Sequence, residues 1–176
     1  KEFLEYQGYS FKLIPIKNKT TTTVAGFVDT DELYRLMTQT YTWDAVSRND
    51  YFFDYQNAYT HLGVMSLRNV FVATANAFFR EGENERALEM LEKCSEVMKY
   101  KPLDTIPIGF SGNNYMVVDM VDLYYKLGHR EKALELALSL GKELLAGSAF
   151  YYRFYELAKD EFQLYGNFLY FLADVM

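Results

Sequence analysis

Cysteine is all but missing: Cys94 stands alone, so no internal disulfide can form and cysteine usage carries no information about redox compartment. Its thiol is expected to lie buried as a small apolar group. Histidine is nearly as scarce. His61 and His129 lie far apart, and neither has a His, Cys or carboxylate at metal-ligand spacing, so no metal site and no cofactor are implied. His129 reads as an exposed turn residue and His61 as locally hydrogen-bonded. Clusters of Lys and Arg are also missing. With a formal charge of -6, the chain lacks the counterion-displacing surface that nucleic-acid binding needs. No long apolar run occurs: the longest near the end, Phe162 to Ala173, falls short of the roughly 20 residues of a spanning helix. The opening KEFLEYQGYS has no initiator Met and no signal-peptide pattern, which suggests a piece of a longer protein whose fragment is soluble.

What the chain has is aromatic area. Tyr contributes 16 residues and Phe 14, within 176 residues that are 50% hydrophobic and 24% charged. That balance is globular, and the length suits one cooperative domain.

The stretch YSFKLIPI, Tyr9 to Ile16, alternates Tyr9, Phe11 and Leu13 against polar residues and predicts a short strand ended by Pro15. The Thr-rich run after it reads as a loop. Asp29 followed by Glu32 forms a capping-box signal for a helix that stops near Tyr41. Trp43 to Asn57 reads as an aromatic-anchored loop. From about Ser66 the pattern is helical to the end, interrupted by KPLDTIPIGFSGNN, where prolines and glycines mark a connection. The expected organisation is a mixed segment over 1-57 packed on a helical region over 58-176.

One phrase is written twice. FFREGENERALEML starts at Phe78 and YYKLGHREKALELA at Tyr124, with Gly82 and Gly128 46 residues apart (128 minus 82) and Ala87 and Ala133 at the same offset. Each Gly is expected to end a helix in the left-handed conformation that side chains resist, and each Ala to let a second helix approach the first closely. This resembles the tetratricopeptide repeat, a helix-turn-helix unit of 34 residues; here the Pro102 to Gly112 insertion lengthens the period. The implied fold class is mainly α, with tetratricopeptide-like α-α pairs, a small mixed N-terminal segment containing a strand, and a C-terminal capping helix.

If the pairs stack as such repeats do, the resemblance assigns groove positions to Asn69, Val72, Asn76, Phe79 and Arg80 in the first unit. In the second they are Tyr115, Val118, Asp122, Tyr125 and Lys126. Amides, aromatics and cations together suit a peptide or a glycan. The clamp that some such repeats use for a peptide carboxylate is not matched, because Val72 precedes Asn76 and Asp119 replaces the second amide. Asp119 and Asp122 share a helix face as paired catalytic acids would, but Lys126 four residues beyond Asp122 makes a solvated ion pair the plainer reading. In the final segment, Ala158, Phe162, Tyr165, Leu169, Leu172 and Met176 form one amphipathic stripe, as expected of a helix closing an array. Tyr151, Tyr155, Tyr170 and Phe171 fall outside it and offer a second contact face.

A wider resemblance runs from Leu4 to Tyr155. The blocks LEYQGYSFKLIPI, GFVDTDELYRLM, YTWDAV, MSLRNVF and AFFREGENERALEMLEKCSEVM are similar, in order, to the C-terminal region of a bacterial multi-pass membrane family related to protein O-mannosyltransferases. The resemblance implies a periplasmic, non-catalytic tail that holds a partner or acceptor protein, the family's catalytic carboxylates lying in its membrane part. A free-standing helical adaptor and an enzyme domain in its own right remain the alternatives.

Overall fold

The computed structural model describes residues 3-7, 10-15, 27-50, 64-99, 103 and 116-176. They are mainly helical, with a small sheet near the N-terminus and a long helix at the C-terminus. The chain forms two compact units, Lys1–Lys101 and Pro102–Met176. That division falls at the start of the Pro- and Gly-marked connection; the expected segment boundary at residue 57 lies outside the described residues.

In the first unit, β1 (Leu4–Gln7) pairs antiparallel with β2 (Ser10–Leu13) and parallel with the two-residue β3 (Phe27–Val28), in the order β2-β1-β3. Glu5 stands opposite Lys12 and the two form an ion pair at 3.7 Å. The predicted strand therefore occurs but has a partner, Leu4–Gln7, that the alternation around Tyr9 did not announce. Its apolar side is not a core face. Leu13 is 76% exposed.

Helix α1 (Thr30–Arg35) starts where predicted: Asp29 Oδ1 accepts a 3.0 Å bond from the Glu32 backbone N–H. The reciprocal half of the box is diverted. The Glu32 carboxylate instead takes two bonds from Arg35, which holds its pKa below the usual carboxylate range. Past Arg35 the helix widens into a π-turn, Leu36–Thr40, closed by Tyr41 N–H donating to the Leu36 carbonyl. Threonine hydroxyls accompany the widening: Thr38 donates to the Tyr34 carbonyl and Thr40 to that of Arg35. Trp43 anchors the following segment, its indole N–H reaching the Met37 carbonyl at 2.8 Å while its ring lies 5.4 Å from Phe71. A short helix, α2 (Asp44–Ser47), occupies part of the predicted loop; residues 51-57 are outside the described set.

Helices α3 (Val64–Glu81) and α4 (Asn84–Val97) form the first hairpin. α3 is buried nearly all round, because α4 lies against it and α1 and β3 also reach it. Cys94, on α4, is fully buried as expected, and burial pushes its thiol up to about 12.

In the second unit α5 (Met116–Lys126) and α6 (Arg130–Tyr152) form the other hairpin, and α7 (Lys159–Val175) packs on both. The two turns are built alike. Gly82, at φ +84°, donates to the Phe79 carbonyl, and Glu83 to that of Phe78; Gly128, at φ +83°, donates to Tyr125, and His129 to Tyr124. This is the Schellman arrangement, which needs a left-handed residue at its second-last position and so favours Gly there. Ala87 and Ala133, both at 0% exposure, donate the first backbone bonds of α4 and α6 and lie buried there, as their shared register predicts.

The predicted stripe on α7 is rotated. Tyr165, Phe168 and Leu172 are buried, whereas Leu169 is half-buried and Met176 is 56% exposed. The reason lies on α6: a methyl group added at Gly147 would stand 2.1 Å from Tyr165 Cε1, so the missing side chain there admits the tyrosine ring and sets the helix's rotation.

Candidate functional site

The candidate binding residues divide between the units. Asn69, Asn76, Phe79 and Arg80 lie along α3, and Asp122, Tyr125 and Lys126 along α5; Tyr115 is outside the described residues. On α3 the spacing of seven and then four places Asn69, Asn76 and Arg80 on one face. The Asn76 amide donates to the Val72 carbonyl at 3.1 Å, and Arg80 Nε donates to the Asn76 carbonyl at 3.2 Å. Asn69, Asn76 and Phe79 are half-buried and Arg80 is exposed. The result is a ledge with an aromatic ring and a cation at its C-terminal end, where helix geometry also favours positive charge.

On α5 the second set is smaller. Lys126 bonds Asp122 one turn earlier, as the acid-before-base order predicts, and Tyr125 is half-buried beside them. Asp119 is exposed at the level of the whole residue, yet its pKa is raised, first by the protein around its carboxyl and then by the Asp122 charge, with Lys126 opposing. Asp122 is thus tied to a lysine, and Asp119 is held toward its neutral form first by burial of its carboxyl and then by the Asp122 charge.

Two expected groove residues are not surface residues. Val72 and Val118 are 3% and 4% exposed and belong to the cores of their own units. Helices buried on most sides absorb the apolar members of any stripe, leaving only its polar and aromatic members outside.

Sequence reasoning passed over a polar cluster at the start of α4. Arg86 lies 4.8 Å above the Tyr34 ring centroid and 5.1 Å above that of Phe78, and bonds Asp31 at 2.8 Å. Tyr34 donates in turn to Glu89 at 2.7 Å, which raises its pKa. This cluster joins α1 to the first hairpin through cation-π and ionic contacts. The repeated motif gave no sign of it, since Asp31 and Tyr34 stand more than 50 residues before Arg86 and Glu89. Arg68, in the apolar run of α3, is 1% exposed, a burial that helical periodicity does not reveal.

Among the described residues, no three His, Cys, Asp or Glu side chains gather as a metal site, and no helix is long and apolar enough to cross a membrane. No protein-family model matches the chain, and no curated protein or solved structure matches it.

Proposed function

We propose that the chain is a non-catalytic interaction domain of tetratricopeptide type that holds a protein or peptide, or its glycan, on the outer ledges of its first helices. The observation that carries this reading is the duplicated turn: two hairpins with left-handed Gly, the same pair of Schellman bonds and a fully buried Ala five residues on. Scaffolds of that kind use first-helix surfaces for binding. The ledge residues add recognisable chemistry, Asn76 and Arg80 on α3 and Tyr125 and Lys126 on α5, with aromatic area beside donors.

The ordered similarity to the tail of a membrane family related to protein O-mannosyltransferases extends the proposal to a place, the periplasmic side of the inner membrane, and to an acceptor or partner protein as the ligand. The test is a triple variant, Asn76→Ala with Arg80→Ala and Lys126→Ala. Its circular dichroism should match the parent, and capture of partner proteins from an envelope extract should fall. Unchanged capture would remove the ledges as the binding surface. A parent gene without spanning segments would leave a free-standing adaptor.

A further inference from the structure

The two hairpins share a register, so each outer position of α4 has a counterpart 46 residues on in α6. On α4 and just past its end a surface row runs Leu88, Glu92, Ser95, Lys99, polar after its first member; on α6 the same row reads Leu134, Leu138, Gly141, Leu145. The three leucines are 43, 54 and 59% exposed. With Gly141 among them the spacing is four, three and four, which makes one straight seam along a helix about 35 Å long at 1.5 Å per residue. Apolar groups in such a row, where the sister helix carries charge, mark a surface made for contact.

We propose that this seam joins two copies of the chain, α6 against α6, antiparallel about a two-fold axis. The choice of occupant follows from the seam's own self-complementarity. In an antiparallel symmetric pair, residues whose numbers have a constant sum face each other. Leu134 then meets the partner's Leu145, and Leu138 lies over the partner's Gly141, whose missing side chain also borders Leu172 of α7. In the same arrangement the flanking positions 135 and 142 lie on one side of the seam, about 3 Å out of level with each other and so within side-chain reach. They are Glu135 and Lys142, both exposed and of opposite charge, so the two-fold makes two ion pairs at once. A parallel pairing would put Glu135 and Lys142 of the two copies on opposite sides of the seam, where neither meets an opposite charge, so only the antiparallel arrangement gains the ion pairs. The interface is distinct from the α3 and α5 ledges and does not depend on the binding role proposed for them.

The test is the oligomeric state by sedimentation equilibrium, under reducing conditions, at up to about 100 µM, a range that covers the micromolar dimers modest interfaces give. The chain should reach a dimer. Leu138→Glu places a charge at the centre of an exposed seam and should raise the dimer Kd at least about 30-fold, as loss of an interface anchor does, with helicity unchanged. Glu135→Lys and Lys142→Glu should each weaken the dimer roughly threefold to tenfold, and the two together should restore it. A monomer throughout the range, a dimer indifferent to Leu138→Glu, or a charge swap without rescue would each overturn the proposal. A monomer that sediments with phosphatidylcholine vesicles in a Leu138-dependent way would overturn it in favour of a lipid surface.

Discussion

The two hairpins begin with the same sentence and end differently. Through the turn and the first buried positions they correspond: Phe78 to Tyr124, Gly82 to Gly128, Ala87 to Ala133, with buried Leu91 and Cys94 matched by buried Ala137 and Leu140. Beyond that, α4 stops after 14 residues at a C-cap on Met98, while α6 runs on for 23 and receives α7 along its extension. What the phrase specifies is therefore the turn and the close approach of two helices. Length, outer-face polarity and the next partner are set by residues outside it, and α6 gains through Gly147 a socket that α4 has no use for.

The sharpest way to break that comparison is to fill the socket. Gly147→Ala should destabilise the second unit by about 3 kcal/mol, since the new methyl would sit inside the Tyr165 ring contact. Gly141→Ala is its control, because there the methyl meets Leu172 Cδ2 at an ordinary 3.7 Å and the gain in helix propensity should leave stability unchanged or raised. Chemical denaturation of both variants reads the contrast. Equal effects at the two glycines would mean that α7 does not dock through Tyr165.

Next come the shared alanines. Leucine at Ala87 or Ala133 should overpack its hairpin, each costing about 2 kcal/mol, because both sites have no exposed surface to release the added bulk. A smaller effect is expected at the turns. Neither Gly82 nor Gly128 has any atom within 4 Å of an added Cβ, so Gly→Val there is opposed by backbone strain alone, about 1 to 2 kcal/mol and similar in the two hairpins. Melting curves that separate the two turns widely would show that their likeness is only geometric.

The smallest effect concerns charge. Because the folded pKa of Asp119 is raised, its ionised form is penalised above the usual carboxylate range and the penalty vanishes at lower pH, where folded and unfolded chains are both protonated. Asp119→Asn should then stabilise the second unit by no more than about 0.5 kcal/mol at pH 7, given the residue's exposure, and by nothing at pH 3. Stability measured across that interval checks the sign.

Much of this architecture was legible locally. The capping Asp29, the end of the first helix at Tyr41, the left-handed glycines and the buried alanines follow from short-range geometry: a cap needs an acceptor three residues before an N–H, and a Schellman turn needs a residue without a Cβ. The Asp122–Lys126 pair is equally local, one helical turn apart.

What escaped the sequence needed a second element to define it. Whether Val72 and Val118 line a groove or a core depends on how many neighbours surround their helices, and periodicity counts faces without counting neighbours. The strand Leu4–Gln7 exists through its partners on either side, and the π-turn interrupts a helix that propensity alone would continue. Arg86 finds the Tyr34 ring and its carboxylate across more than 50 residues of chain, and Tyr165 finds its place through an absent side chain on another helix. Short-range steric and hydrogen-bond rules act within one or two turns, so the sequence by itself determined where helices start, stop and pair. Burial is a property of everything that packs around a residue, and only the tertiary structure decided which faces closed into core and which were left to meet something else.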